Sequence, residues 1–168
     1  ELVQSNGGSD FQWAGDQETQ NQIWQARHDA YYAARALRPG TSGWPTDVCV
    51  PISRLADCIV ETQADLQEFD LLAPIVGHVG DGNFHVLLLV DENSPDELAV
   101  AQQVNDRLIK RALRMAGTST GEHGIGYGKL PYMQLEHGTA LGVMALIKKA
   151  LDPLNIMNPG KVIPDTHA

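Results

Sequence analysis

The stretch Gly77-His78-Val79-Gly80-Asp81-Gly82-Asn83-Phe84-His85 constrains the fold more than any other part of the chain. Apolar runs lie on both sides of it, at 71–76 and 86–90. Gly and Asn in the middle supply the positive φ angles of a tight hairpin. If the hairpin closes symmetrically, Val79 faces Phe84 and His78 faces His85. Side chains so opposed share one face, with Cβ atoms ~5 Å apart. Two imidazoles in that position can chelate one metal ion. One further ligand would complete a site that keeps an open coordination position, the catalytic kind.

The rest of the chain reads as alternating elements around that hairpin. Residues 11–14 suggest a short strand, and Asp16 caps a helix over 17–37 that stops at Pro39-Gly40. Ile23, Ala30, Tyr31, Ala34 and Leu37 give that helix one apolar face. Residues 41–45 read as a loop and 46–50 as a β-branched strand. Ser53 caps a second helix, with Leu55, Cys58, Ile59, Thr62 and Leu66 at helical spacing. Ser94-Pro95-Asp96-Glu97 is a strong helix start, with Ser at the cap, Pro at the first position and Glu at the third. That helix runs to about Met115 and ends at Gly117, with Leu98, Ala101, Val104, Leu108, Ala112 and Met115 as its buried stripe. A last helix spans roughly 133–151, before Pro153, and Asn158-Pro159-Gly160-Lys161 turns in an irregular tail. Helices mixed with a clear hairpin predict an α+β fold, an antiparallel sheet with helices packed on it.

A second glycine-dense stretch offers a candidate for the missing ligand, the alternative being a flexible loop whose Glu is solvated. In Thr118-Ser119-Thr120-Gly121-Glu122-His123-Gly124-Ile125-Gly126-Tyr127-Gly128-Lys129 the only acid is Glu122. Two His and one carboxylate suit a borderline divalent ion such as Zn, Mn, Fe or Co. His123, next to Glu122, would point elsewhere and stay free for acid–base work. Phosphate-loop readings fail here. A P-loop would need Gly at His123 and Ser or Thr at Leu130, and a dinucleotide fingerprint would need Gly at Lys129.

These motifs resemble the C-terminal part of the FAD-linked D-2-hydroxy acid dehydrogenases. That family holds cytochrome-type D-lactate dehydrogenase, the glycolate oxidase flavoprotein subunit and D-2-hydroxyglutarate dehydrogenase. The strongest matches are residues 77–90 and 120–129 and Asn158-Pro159-Gly160-Lys161. Ile23-Trp24-Gln25-Ala26-Arg27-His28 and Thr46-Asp47-Val48-Cys49-Val50-Pro51-Ile52-Ser53-Arg54-Leu55 extend them, with wording most similar to the D-lactate branch. The resemblance implies that residues 1–168 are a C-terminal substrate or cap domain, a fragment lacking the N-terminal domain that mainly binds FAD. It implies oxidation of a D-2-hydroxy acid, with hydride passing from C2 to the flavin, and no activity from the fragment alone. The metal, zinc first and manganese or iron otherwise, would be held by His78, His85 and Glu122. His123 would take the hydroxyl proton and Arg27 would grip the substrate carboxylate, while Asn158 and Lys161 would lie near the flavin. Asn83 is expected to make the turn and not to touch substrate.

Two departures narrow the substrate. The 2-hydroxyglutarate branch has Asn where this chain has Leu87, and Lys where it has Pro45. Both changes remove polar groups that a second carboxylate would use, which favours a small monocarboxylic acid such as D-lactate. The electron acceptor expected is a cytochrome or quinone. The location expected is cytoplasmic or peripheral to the inner membrane, mitochondrial in a eukaryote. Two rival classes share the ligand set: a non-redox metal-binding or docking subunit beside a separate flavoprotein, and a metal hydrolase that activates water.

Composition excludes other partners. A net charge of −9 argues against nucleic acid and anionic membranes. No apolar run approaches the ~20 residues of a membrane-spanning helix. Cys49 and Cys58 read as small apolar residues, not as a disulfide framework. A cap cut from its neighbours would leave strand edges and apolar surface uncovered, which invites self-association into a homo-oligomer.

Overall fold

The structure, a computed structural model, describes residues 1–9 and 11–164. Its sheet is built around one strand, β4 (Asn83–Val90), which is buried at every position. Three strands pair with it, all antiparallel: β1 (Ser42–Pro45), β2 (Val48–Cys49) and β3 (Ile75–His78). β2 and β3 both pair with Phe84 and Asn83, so they flank β4 on opposite edges. β1 and β2 follow one register, from Ser42 opposite Val90 to Cys49 opposite Asn83. The sequence places a loop at 41–45 and one strand at 46–50. The chain begins pairing at Ser42 and interrupts it only at Thr46 and Asp47, which stand across from Val86 and His85. Thr46 still bonds Val86 O through its amide, at 2.9 Å.

Even-numbered residues of β4 face the main core. Phe84, Val86, Leu88 and Val90 pack against α3 (Ile52–Glu68) and α4 (Pro95–Arg114). The expected stripes hold. Leu55, Cys58, Thr62 and Leu66 are buried on α3, and Ala101, Val104, Leu108 and Ala112 on α4, with Met115 just beyond it. Between the two helices, buried Arg111 bonds Glu61 at 3.0 Å, Thr62 at 2.9 Å and Asp65. The start of α4 is also as read: Ser94 Oγ accepts from the Glu97 amide at 3.3 Å, with Pro95 in the first turn.

Odd-numbered residues of β4 face the other way. Leu87 and Leu89 meet Ala34 of α2 (Gln17–Ala36), whose first turn is capped by Asp16. Arg38, just past α2, bonds Leu89 O at 3.0 Å and Glu97 at 2.7 Å. The apolar face expected on α2 is buried only at Ala34. Ile23 and Tyr31 are about 40% exposed, and Leu37, the C-cap, is 58% exposed.

Other boundaries differ from the sequence reading. Residues 11–14 form no strand, and Phe11 and Trp13 are exposed. Pro51, not Ser53, occupies the cap of α3, without a side-chain cap bond. The last helix is two: α5 (Met133–His137) and α6 (Ala140–Leu151), parted at Gly138 with φ 51°. A short helix, α1 (Leu2–Ser5), precedes them all. The fold is therefore α+β, helices on an antiparallel sheet. Among the described residues, no helix is long and apolar enough to cross a membrane.

Candidate metal and substrate site

The hairpin closes in a different register from the symmetric one. His78 pairs with Asn83, and Val76 pairs with His85. The cause is the turn: Val79–Asp81 form one 3-10 turn and Gly82 follows at φ 76°. A Cβ on Gly82 would strike Val50 O, so both its angle and its space require glycine. The shift is two residues, so side-chain parity survives. His78 and His85 remain on one face, as diagonal rather than opposed neighbours, with ring centroids 6.2 Å apart. That face is the one α2 covers.

The glycine-dense loop reaches this face by pairing. Thr118 bridges Cys49, with its amide 2.8 Å from Cys49 O, and so extends the sheet past β2. Four residues later Glu122 sets Oε1 2.9 Å from His85 Nε2 and 3.7 Å from His78 Nε2. The three expected ligands thus converge, their donor atoms all within 4.8 Å. Ligands of one ion, each ~2.0–2.2 Å from it, lie at most about 4.4 Å apart, so a small contraction of the cluster would let the three share one ion.

The hydrogen bonds at His85 show that the donor set fits a cation. Its Nδ1 lies 3.0 Å from Thr46 O and its Nε2 faces the Glu122 carboxylate, so both ring nitrogens look at acceptors. A neutral imidazole has one N–H. If Nδ1 donates to Thr46 O, the Nε2 lone pair faces the Glu122 carboxylate, and a cation between them, a proton or a divalent ion, would relieve that opposition.

Arg27 also arrives, from half-way along α2. Its Nη2 is 3.4 Å from His78 Nε2, and the side chain is partly buried. His123 does not point away as expected. Its ring stacks on His85, centroids 4.8 Å apart and planes within 7°, with Nε2 4.0 Å from Glu122 Oε1. Asn158 and Lys161 stay outside the cluster. Lys161 Nζ lies over the Tyr127 ring at 5.2 Å, and Val162 N bonds Gly126 O, so the tail joins the far end of the glycine-rich loop. A cleft of about 310 Å³ opens on the site, lined by Cys49, His78, Asp81, Asn83, Gly121 and Glu122.

Sequence reasoning passed over the groups behind the cluster. Asp47 is 1% exposed. Burial pushes its carboxyl up, but the amides of His123 and Glu122, with Asn83 and Thr120, outweigh that and hold it at about 2. Asn83 does more than turn the chain: its Nδ2 donates to Asp47 Oδ1 at 2.8 Å and Val48 O at 3.0 Å. Lys129 Nζ bonds Asp47 O at 2.7 Å, and burial lowers its pKa. Glu136 anchors the loop's start through Thr118 Oγ1 at 2.6 Å and the Ser119 amide at 3.0 Å. One signal was there to read. An acid inside the apolar run Val48-Cys49-Val50 and Thr46 must find donors or stay unfolded.

A profile of the family described as FAD linked oxidases, C-terminal domain, matches residues 1–162. The chain belongs to the FAD-linked oxidase C-terminal domain family. It is 56% identical over 168 residues to the probable mitochondrial D-lactate dehydrogenase of Danio rerio, covering 99% of this chain and 34% of that protein. It is 42% identical over 165 residues to the mitochondrial D-lactate dehydrogenase [cytochrome] of Arabidopsis thaliana, covering 98% and 29%. The glycolate oxidase subunit GlcD of Escherichia coli K12 is 30% identical over 168 residues, covering 99% and 33%. This FAD-linked oxidase domain spans about a third of the length of these relatives.

Proposed function

We propose that this chain forms the substrate-side domain of a flavin-dependent dehydrogenase that oxidises a small D-2-hydroxy acid, D-lactate foremost, to the 2-oxo acid. FAD would be held mainly by a separate N-terminal domain. Membership of an FAD-linked oxidase family supports the flavin, and the names of the Danio and Arabidopsis relatives support the substrate. The observation that carries the reading is the convergence of His78, His85, Glu122, Arg27 and His123 on one face of the hairpin.

Each side chain has a task that its position suits. A divalent ion held by His78, His85 and Glu122, with zinc first and manganese or iron as alternatives, would supply Lewis acidity toward the substrate hydroxyl. Arg27, its guanidinium already at His78, would bind the substrate carboxylate through two parallel hydrogen bonds. His123 would accept the hydroxyl proton at Nε2 as the C2 hydrogen leaves as hydride. Its stack on His85 fixes the ring plane. Leu87, two residues past His85 on the same face, is buried against Ala34, and Pro45 offers no donor. Neither can meet a second carboxylate, so a monocarboxylic acid fits best. Asn158 and Lys161, with Tyr127, would form the edge turned toward the flavin. The Arabidopsis name further supports a cytochrome as electron acceptor and a mitochondrial location.

The test uses the chain joined to an N-terminal FAD-binding domain. Anaerobic D-lactate should bleach the flavin, D-2-hydroxyglutarate should do so far less, and the 168-residue chain alone should turn over nothing. Bound flavin that stays oxidised with every D-2-hydroxy acid would overturn the reading.

A further inference from the structure

We infer that Asp47 is the positioning residue of the site: its buried carboxylate seats the Glu122–His123 segment so that both side chains meet His85. The inference rests on the metal-site reading above. A loop so rich in glycine has no stiffness of its own to aim two side chains. What aims them is one carboxylate. Asp47 Oδ2 accepts from Thr120 Oγ1 at 2.8 Å, Glu122 N at 3.0 Å and His123 N at 2.8 Å. Oδ1 accepts from Asn83 Nδ2 at 2.8 Å and lies 3.7 Å from His85 Nδ1.

Two consecutive amides turned to one oxygen fix the backbone between them. Both side chains are then found at His85, Glu122 by its carboxylate and His123 by its ring. Gly121 lets the chain pass this close, because a Cβ there would strike the Asn83 amide. Lys129 closes the far end of the loop on Asp47 O and Ser119 O. A charge taken out of water is stable only while its donors stay in place, so the arrangement resists loosening. Asp47 could be counted with His85 and His123 as a ligand set of its own. Its two oxygens already accept four hydrogen bonds, which suits a holder of ligands better than a ligand.

Asp47→Asn keeps the size and removes the charge. In the metal-free chain, the amides of Glu122 and His123 should exchange about 10-fold faster or more, the effect of losing charge-assisted hydrogen bonds. Exchange in β4 and α4 should stay as in the native chain. Mn²⁺ affinity should fall by about 10–100-fold, and the visible ligand-field band of bound Co²⁺ should change. Thr120→Val, which removes one donor to the same oxygen, should act in the same direction to a smaller extent. It carries the test if Asp47→Asn unfolds. Unchanged exchange at residues 122 and 123 in the folded variants, or acceleration spread evenly through β4 and α4, overturns the inference. His78→Ala separates this from the metal reading, since it should weaken Mn²⁺ binding and leave both amides protected. If native chain and His78→Ala bind Mn²⁺ equally, the metal reading falls, and the exchange result alone upholds or overturns the role of Asp47.

Discussion

Glu122 and His123 are adjacent in sequence, and the different tasks proposed for them are separable by substitution. In the flavin-bearing protein, Glu122→Gln should lose metal affinity, because a neutral amide is a poor ligand for a borderline divalent cation. His123→Ala should keep metal and flavin and lose about 10²–10⁴-fold in kcat, the contribution of a removed general base. Metal analysis and steady-state rates on the two variants check this. If His123→Ala strips the metal while Glu122→Gln retains it, the roles are exchanged. The convergence of His78, His85 and Glu122 was legible because the signals are local: two His beside one turn, and a single acid in one glycine-rich run. That Asp47 needs donors was legible, but not which ones, since its partners lie 36 to 76 positions away in sequence and only the fold brings them together. The stacking of His123 on His85 was hidden for the same reason.

At the scale of elements, periodicity succeeded where an element has one buried face. α3 and α4 follow their apolar stripes, and the cap of α4 follows its Ser-Pro-Asp-Glu start. It failed where tertiary pairing decides. β1 is Ser-Gly-Trp-Pro, a poor strand sequence that pairs only because β4 is beside it. The hairpin register was set by a 3-10 turn that glycine content alone does not specify.

Two contacts between elements give stability predictions. Arg111 is 5% exposed between α3 and α4, and Arg111→Ala would leave Asp65 paired with Arg107 alone, whose Nη1 bonds its Oδ1 at 2.9 Å. A loss of about 1.5–3 kcal/mol is expected in urea unfolding, as for lost hydrogen bonds to a charged group that keeps a second partner. A loss under about 1 kcal/mol would show the pair to be peripheral. Glu97 links α4 to Arg38 and to the Asp91 amide. The hydrogen bonds from Arg38 lead in holding its carboxyl at about 2, below the ordinary 4.5. A depressed folded-state pKa gives stability that is present above the ordinary value and lost as pH falls through the folded one. Glu97→Gln should therefore unfold more easily than the native chain near neutrality, with the gap closing between about pH 4.5 and 2. A gap that stays constant across that range would contradict the assignment.

Across the whole molecule, the two sides of the sheet are finished to different degrees. The α3/α4 side is a closed core. The α2 side meets Leu87 and Leu89, then opens onto the site, and α6 carries Val143, Leu146, Ile147 and Leu151 exposed. Family membership and α+β class could be read before any coordinates, because the motif-bearing hairpin and loop lie on the site itself. What needed the fold was the arrangement behind them, the Asp47 carboxylate and its donors. His78, His85 and Glu122 are expected to bind one divalent metal between β3, β4 and the glycine-rich loop. Anomalous diffraction from crystals grown with Mn²⁺ tests it most directly. One peak in contact with His78 Nε2, His85 Nε2 and the Glu122 carboxylate is expected, lost in His78→Ala and His85→Ala. A peak enclosed instead by Asp47, His85 Nδ1 and His123, or one that survives both substitutions, would contradict it.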